Sequence, residues 1–187
     1  KRQVDLGNGV KLVMHSAGHI LGSAIIQLDV TDATGASKRL VFTGDLGQPG
    51  QPIIRPADTV SDVDALIIES TYADREHPPK DDVSGRLKSY IEEIHQQKAR
   101  LIIPAFSVGR TQHILYYLSE LLEHKRIPLT PVFVDSPLSL KATKIYAEHR
   151  ECYGDDASDR LRSGDDPLNF PGLKFIESVE ESKALNA

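Results

Sequence analysis

The chain holds a single cysteine, Cys152, in 187 residues, which excludes an internal disulfide and any zinc cluster built from cysteine thiolates. A reducing, cytoplasmic setting is the expectation that follows. No run of about eighteen apolar residues occurs, so no segment reads as a membrane-spanning helix. No basic-then-apolar leader ending in small residues opens the chain, so no signal peptide is read. Methionine is equally scarce: the chain starts at Lys1 and holds only Met14, so the expectation is a fragment whose native start lies upstream. Nucleophile motifs are missing as well. Ser16 and Ser23 lack the G-x-S-x-G elbow, and Cys152 is expected at a helix end without the cationic setting of a reactive thiolate. A Walker lysine and a G-x-G-x-x-G spacing are also absent, so neither a P-loop nor a dinucleotide fold is indicated.

What is present is a 40% hydrophobic chain able to bury a full core, sized for one domain or one domain and part of another. Its net charge of -5 does not advertise a nucleic-acid binder. The charge is uneven, however. From Lys98 to Arg150 eight Lys/Arg face four Asp/Glu, leaving +4 there and -9 over the rest. A basic region on an acidic chain fits a footprint for phosphates, although on charge alone a solvated surface is the preferred reading.

The first third reads as strands: "VKLVMH", "SAIIQLDV" and "KRLVFTGD", with "TDATGAS" as a hairpin turn and "GQPGQPIIRP" as irregular loop. From Ala65 the pattern changes to strands alternating with helices. "ALIIES", "RLIIPAF", "PVFVDSP" and "GLKFIES" are short apolar runs. A helix is expected from about Asp82 to Lys98, with Val83, Leu87, Tyr90, Ile91 and Ile94 as one buried stripe. A second follows "SVGR" and carries Ile114, Leu115, Leu118, Leu121 and Leu122. A third follows Ser139, read as its N-cap. The acidic segment from Glu151 to Pro171 reads as loop. This alternation predicts an α/β fold with a mainly parallel sheet.

Five apolar runs end in a polar residue: Asp45, Glu69, Ser107, Asp135 and Glu177. In open α/β sheets the carboxyl ends of strands border the ligand crevice, though each acid alone reads equally well as a turn former or cap. In "FTGDLG", Asp45 sits between glycines that allow a sharp turn and leave space beside the carboxylate. Such a carboxylate suits a hard or borderline cation, and an Asx-turn accounts for it as well. In "HSAGHILGSA", Gly18 and Gly22 make a helix costly, at about 1 kcal/mol each, so the spacing of His15 and His19 is not a helical face. His19 therefore sits in a loop, as a metal ligand, a general base or a hydrogen-bonding residue. In "FSVGRTQ", Ser107, Gly109 and Arg110 join a strand to a helix. Free N–H groups there with a guanidinium suit a phosphate oxygen, and a tight turn with a surface arginine is the other reading. His77, after a strand end, is a further candidate to line the crevice.

Taken in order, "SAGHILGSA", "LVFTGDLG", "LIIESTYADREH" and "LIIPAFSVGRTQHILYYL" resemble the β-CASP group of metallo-β-lactamase-fold nucleases, which includes RNase J-type enzymes and the pre-mRNA 3′-end cleavage endonuclease. "VFVDSPLSLKATKIY" and "FIESVEESKALN" extend the likeness, and the "IIPAFSVGRTQ" block is most similar to the RNA-processing members. The resemblance implies residues 1–75 as the C-terminal part of the first metallo-β-lactamase segment, and 76–187 as a β-CASP cap incomplete at its end. It also implies His19 as a zinc ligand, Asp45 as the aspartate bridging two zinc ions, and Glu69 as the group's acidic residue at the start of the β-CASP region. Arg110, Ser107, Gly109 and His77 become candidate contacts to single-stranded RNA, and oligomerisation is left open. The implied activity is hydrolysis of RNA phosphodiesters by a dinuclear-metal-bound hydroxide. The group's His-x-His-x-Asp-His motif is absent and expected upstream of Lys1; two later histidine motifs are expected beyond Ala187. With two of the ligands that zinc needs, this polypeptide alone is expected neither to hold zinc tightly nor to cleave RNA. Two alternatives stand beside this reading: a non-catalytic β-CASP partner subunit, and a phosphate- or nucleotide-binding α/β domain resting on "SVGRTQ".

Overall fold

The computed structural model describes residues 2–75 and 82–186, in two compact units, Lys1–His77 and Pro78–Ala187. His77 lies outside the described residues.

The first unit is a five-stranded sheet in the order β1 (Gln3–Gly7), β2 (Val10–Ser16), β3 (Ala24–Thr31), β4 (Ser37–Phe42), β5 (Ala65–Ile67). The first four strands are antiparallel neighbours, and β5 joins β4 in parallel. Local chemistry explains both hairpins. Asn8 and Gly9 sit at φ 53° and 77°, the doubly left-handed pair that a two-residue hairpin loop requires. That signal was legible, yet β1 is not among the expected strands. In the second turn, Asp32 Oδ1 accepts from the Thr34 and Ala36 N–H groups at 2.8 and 3.0 Å. The core of the unit is Ala17, Ile25 and Val41, with Leu46, Val60 and Val63 packed on it from the loops.

His15 belongs to β2 and stands opposite Ile25. Its Nε2 lies 2.8 Å from Gln27 Oε1, Gln27 Nε2 donates to Asp29, and Arg39 Nε donates to Asp29 Oδ1 at 2.7 Å. The Arg39 guanidinium holds the Asp29 carboxyl below its usual range. This chain of polar groups crosses three strands and satisfies the buried Gln27.

The second unit contains α1 (Val83–Gln97), α2 (Arg110–Glu123), β6 (Val132–Val134), α3 (Pro137–Glu148), a 3₁₀ turn over Arg150–Cys152, α4 (Asp155–Arg162), β7 (Leu173–Phe175) and α5 (Val179–Asn186). β6 and β7 pair in parallel, with Phe133 opposite Lys174. The chain is therefore mixed α/β, with a mostly antiparallel sheet followed by a parallel pair among helices. Among the described residues, no helix is long and apolar enough to cross a membrane.

Four expectations are corrected. The α1 stripe is only half buried: Leu87 and Ile91 are inside, while Val83 and Tyr90 are 45% and 46% exposed. "RLIIPAF" forms no strand, because no ladder partner lies beside it among the described residues; Ile102 and Phe106 are 84% and 85% exposed. The α3 cap is Ser136, not Ser139. Ser136 Oγ accepts the Ser139 N–H at 3.1 Å, and Pro137 fills the first helical position. The segment read as loop from Glu151 holds α4. Its acidic start suits the positive end of a helix, and Arg160 ties it to α2 by donating to Ser119 Oγ at 2.8 Å and lying 4.8 Å over the Tyr116 ring.

Candidate functional site

The loop between β2 and β3 folds on Ser23, whose hydroxyl accepts the His19 N–H at 3.1 Å and the Ile20 N–H at 3.3 Å. The chain around His19 is thus a tight, half-buried loop and not a helix. Gly18 takes φ 64°, and a Cβ there would sit 2.5 Å from the Ala57 nitrogen.

The loop after β4 is anchored by the buried Thr43. Its N–H donates to Ile67 O at 3.0 Å, and its hydroxyl accepts the Glu69 N–H at 3.3 Å. Gly44 then turns the chain at φ 56° and leaves Asp45 exposed. Two residues later the Gly47 N–H donates to Ala17 O at 2.9 Å. A Cβ on Gly47 would lie 1.6 Å from Gly18 O and 2.7 Å from the His19 nitrogen. The loops carrying His19 and Asp45 are therefore in backbone contact, and only glycine permits it.

Glu69 joins them from the end of β5. Its Oε1 accepts the Leu46 N–H at 2.6 Å, one residue beyond Asp45. That hydrogen bond, the Thr71 hydroxyl and the field of His19 hold the Glu69 carboxyl below its ordinary range, so it is ionised at neutral pH. Among the described residues, neither the His19 ring nor the Asp45 carboxylate is engaged in a hydrogen bond or ion pair. An imidazole and a carboxylate without hydrogen-bond partners among the described residues, on touching loops, are a donor set that zinc accepts. The described residues supply no group of three such donors able to hold a metal ion. The set fits as part of a metal centre, not as a whole one.

In the second unit Ser107, Gly109 and Arg110 stand together at the start of α2. Gly109 caps it at φ 81°, and its N–H donates to Gln112 Oε1 at 2.7 Å. Gln112 is 0% exposed, and its Nε2 donates to Ser107 O at 3.1 Å and Thr143 Oγ1 at 2.9 Å. The Arg110 and Thr111 N–H groups donate to Val108 O and Phe106 O. The free N–H groups expected here are thus engaged within the chain, and what faces solvent is the Arg110 side chain. The Ser107 hydroxyl lies 3.2 Å from Ser136 Oγ, linking this turn to the α3 cap. Gln112 was missed at the sequence level, although a glutamine three residues past an N-cap is a capping-box signature.

Asp135 and Glu177 take the ordinary role of strand-end groups. Asp135 accepts the Ser182 hydroxyl at 2.7 Å, and the Glu177 N–H donates to Glu181 at 3.1 Å.

Comparison with known proteins agrees with this architecture. Residues 111–187 match the Beta-Casp domain. The chain is 30% identical to a ribonuclease of Thermus thermophilus, over 95% of this chain and 39% of that protein. It is 29% identical to the cleavage and polyadenylation specificity factor subunit 3 of Dictyostelium discoideum, over 96% of this chain and 23% of that protein. An RNase J-like protein of Methanocaldococcus jannaschii is 33% identical over 80% of this chain and 34% of its own length. The chain thus spans well under half the length of each of these relatives. The domain match and these relatives together show a likeness of the chain to the β-CASP nuclease group.

Proposed function

We propose that this chain is part of a zinc-dependent ribonuclease that hydrolyses phosphodiester bonds of single-stranded RNA. In this reading residues 1–75 contribute to a metallo-β-lactamase-type catalytic region and residues 76–187 to its β-CASP cap. The observation that carries it is the contact of the His19 and Asp45 loops, closed by Gly47 on Gly18 and tied to Glu69 through the Leu46 N–H. His19 would hold one metal ion and Asp45 would bridge two. When bound, such ions activate water and neutralise charge on the phosphoryl oxygens.

The chain's own contribution is placement. Glu69 keeps its charge and holds the backbone beside Asp45, so the Asp45 loop enters the reaction already organised. Arg110 offers a guanidinium to substrate phosphates. The single cysteine supports a reducing, cytoplasmic setting. The nucleotide-binding alternative loses support, because the N–H groups that would cradle a phosphate at α2 are already taken.

The test is metal analysis and RNA hydrolysis by the full-length protein, with and without His19→Ala. Expected are a lower zinc content and a loss of hydrolysis. Full zinc content with unchanged hydrolysis would remove the proposal.

A further inference from the structure

The basic stretch recognised in the sequence does not form one surface. Arg110 opens α2, whereas Lys125 and Arg126 lie past its other end; 14 residues at about 1.5 Å each separate the two by roughly 20 Å. The far end collects further cations. α1 closes on Lys98, followed by Arg100. His95, in the last turn of α1, bonds through Nε2 to Thr130 Oγ1 at 3.0 Å, and Thr130 lies four residues beyond Arg126. The last turn of α1 therefore lies against the segment that follows α2, and Lys98, Arg100, Lys125 and Arg126 are carried on the stretches just past these two helix ends.

All four side chains are exposed. Arg100 donates to Leu185 O at 3.1 Å, and among the described residues none of the four is paired with a carboxylate. The nearest acids of α2 and α1 are otherwise occupied: Glu123 pairs with Arg160 at 3.3 Å, and Glu93 accepts from Gln97 at 2.9 Å.

The backbone adds a second observation. Lys98 and Lys125 both sit in the left-handed region, at φ 52° and 53°, just past the ends of their helices. This position is ordinarily glycine, and a side chain there costs about 1 kcal/mol. A cation near a helix C-terminus recovers part of that through the helix dipole. The dipole accounts for one cation near each end; it does not account for two more, unneutralised, on a chain whose net charge is -5. No Phe, Tyr or Trp occurs in residues 95–100 or 124–130, and the rings of His95 and His124 are bonded to Thr130 Oγ1 and Glu120 O, so these stretches carry no large stacking platform for a base.

We propose that this end of the second unit is an auxiliary track for the phosphate backbone of the RNA strand, reading charge and not sequence. The proposal rests on the ribonuclease reading and extends it to a strand long enough to pass both ends of α2. It is tested in the full-length protein with the double variant Lys98→Gly and Lys125→Gly. Glycine removes both charges and relieves both left-handed residues, so unfolding does not confound the result. Binding of single-stranded oligouridylate and oligoadenylate is measured against salt concentration, beside Arg110→Glu. At about 0.7 per phosphate contact, the slope of log affinity against log salt should shrink by about 1.4, equally for both homopolymers. Adding Arg126→Gln should remove about 0.7 more. An unchanged slope in the double variant, while Arg110→Glu reduces it, overturns the track and leaves the ribonuclease reading standing. Binding of polyglutamate in place of RNA at these lysines overturns it likewise. Failure of the unsubstituted protein to bind either homopolymer overturns both.

Discussion

Gly47 has no room for a side chain, because a Cβ would stand 1.6 Å from the Gly18 carbonyl oxygen. Gly47→Ala must therefore push the two loops apart. The expected cost is about 3 kcal/mol, read as a fall in the denaturant midpoint, and a midpoint equal to wild type would refute the close contact. His113 offers a separate test. Burial first, and the Arg110 charge second, depress its imidazole to about 4 from an ordinary value of 6.5. The folded protein thus resists protonation that the unfolded chain accepts. Stability is fully present above the unfolded value and is lost as pH falls through 6.5 towards 4, by up to about 3 kcal/mol. His113→Gln should flatten that part of the stability-against-pH curve; an unchanged slope there would contradict the burial. The presence of His19 in a loop was legible from flanking glycines, but the pressing of Gly47 on Gly18 was not. Each glycine alone announces only freedom.

Among the elements, α2 shows how a helix start is held. Gln112 accepts from Gly109 and donates to Ser107 and Thr143, so its amide joins three chain segments in a fully buried place. Gln112→Ala should cost about 3 kcal/mol by stranding buried partners, measured by thermal or denaturant unfolding, with Gln112→Glu a poor rescue because its charge would be buried. A loss under 1 kcal/mol would show that this network is dispensable. The bounds of α1 were readable because caps are local chemistry: Asp82 Oδ1 accepts the Gly85 N–H at 2.7 Å, and Lys98 closes the helix. α4 was not readable. Its sequence shows no long apolar stripe, and its place depends on Arg160 reaching Ser119, 41 residues earlier.

For the molecule as a whole, the incomplete donor set carries a measurable consequence. Zinc titrated into these 187 residues should show no submicromolar binding by calorimetry, because the proposed function assigns this chain only His19 and Asp45 as ligands where zinc takes three or four. Tight binding would mean that this chain supplies donors beyond those two. "RLIIPAF" makes the related point for the sheet. Its composition is that of a strand, but a strand exists only where another lies beside it.

The residues by themselves determined what acts over a few positions: turn geometry, caps, helix periodicity and the family likeness held in ordered motifs. These terms are decided by neighbours along the chain and survive without the rest of the fold. Tertiary structure alone decided that the loops of His19, Asp45 and Glu69 converge, and that the cations after Arg110 separate from it along α2. Convergence of groups far apart in sequence depends on strand pairing and backbone contact, and rise along a helix divides what the sequence lists together.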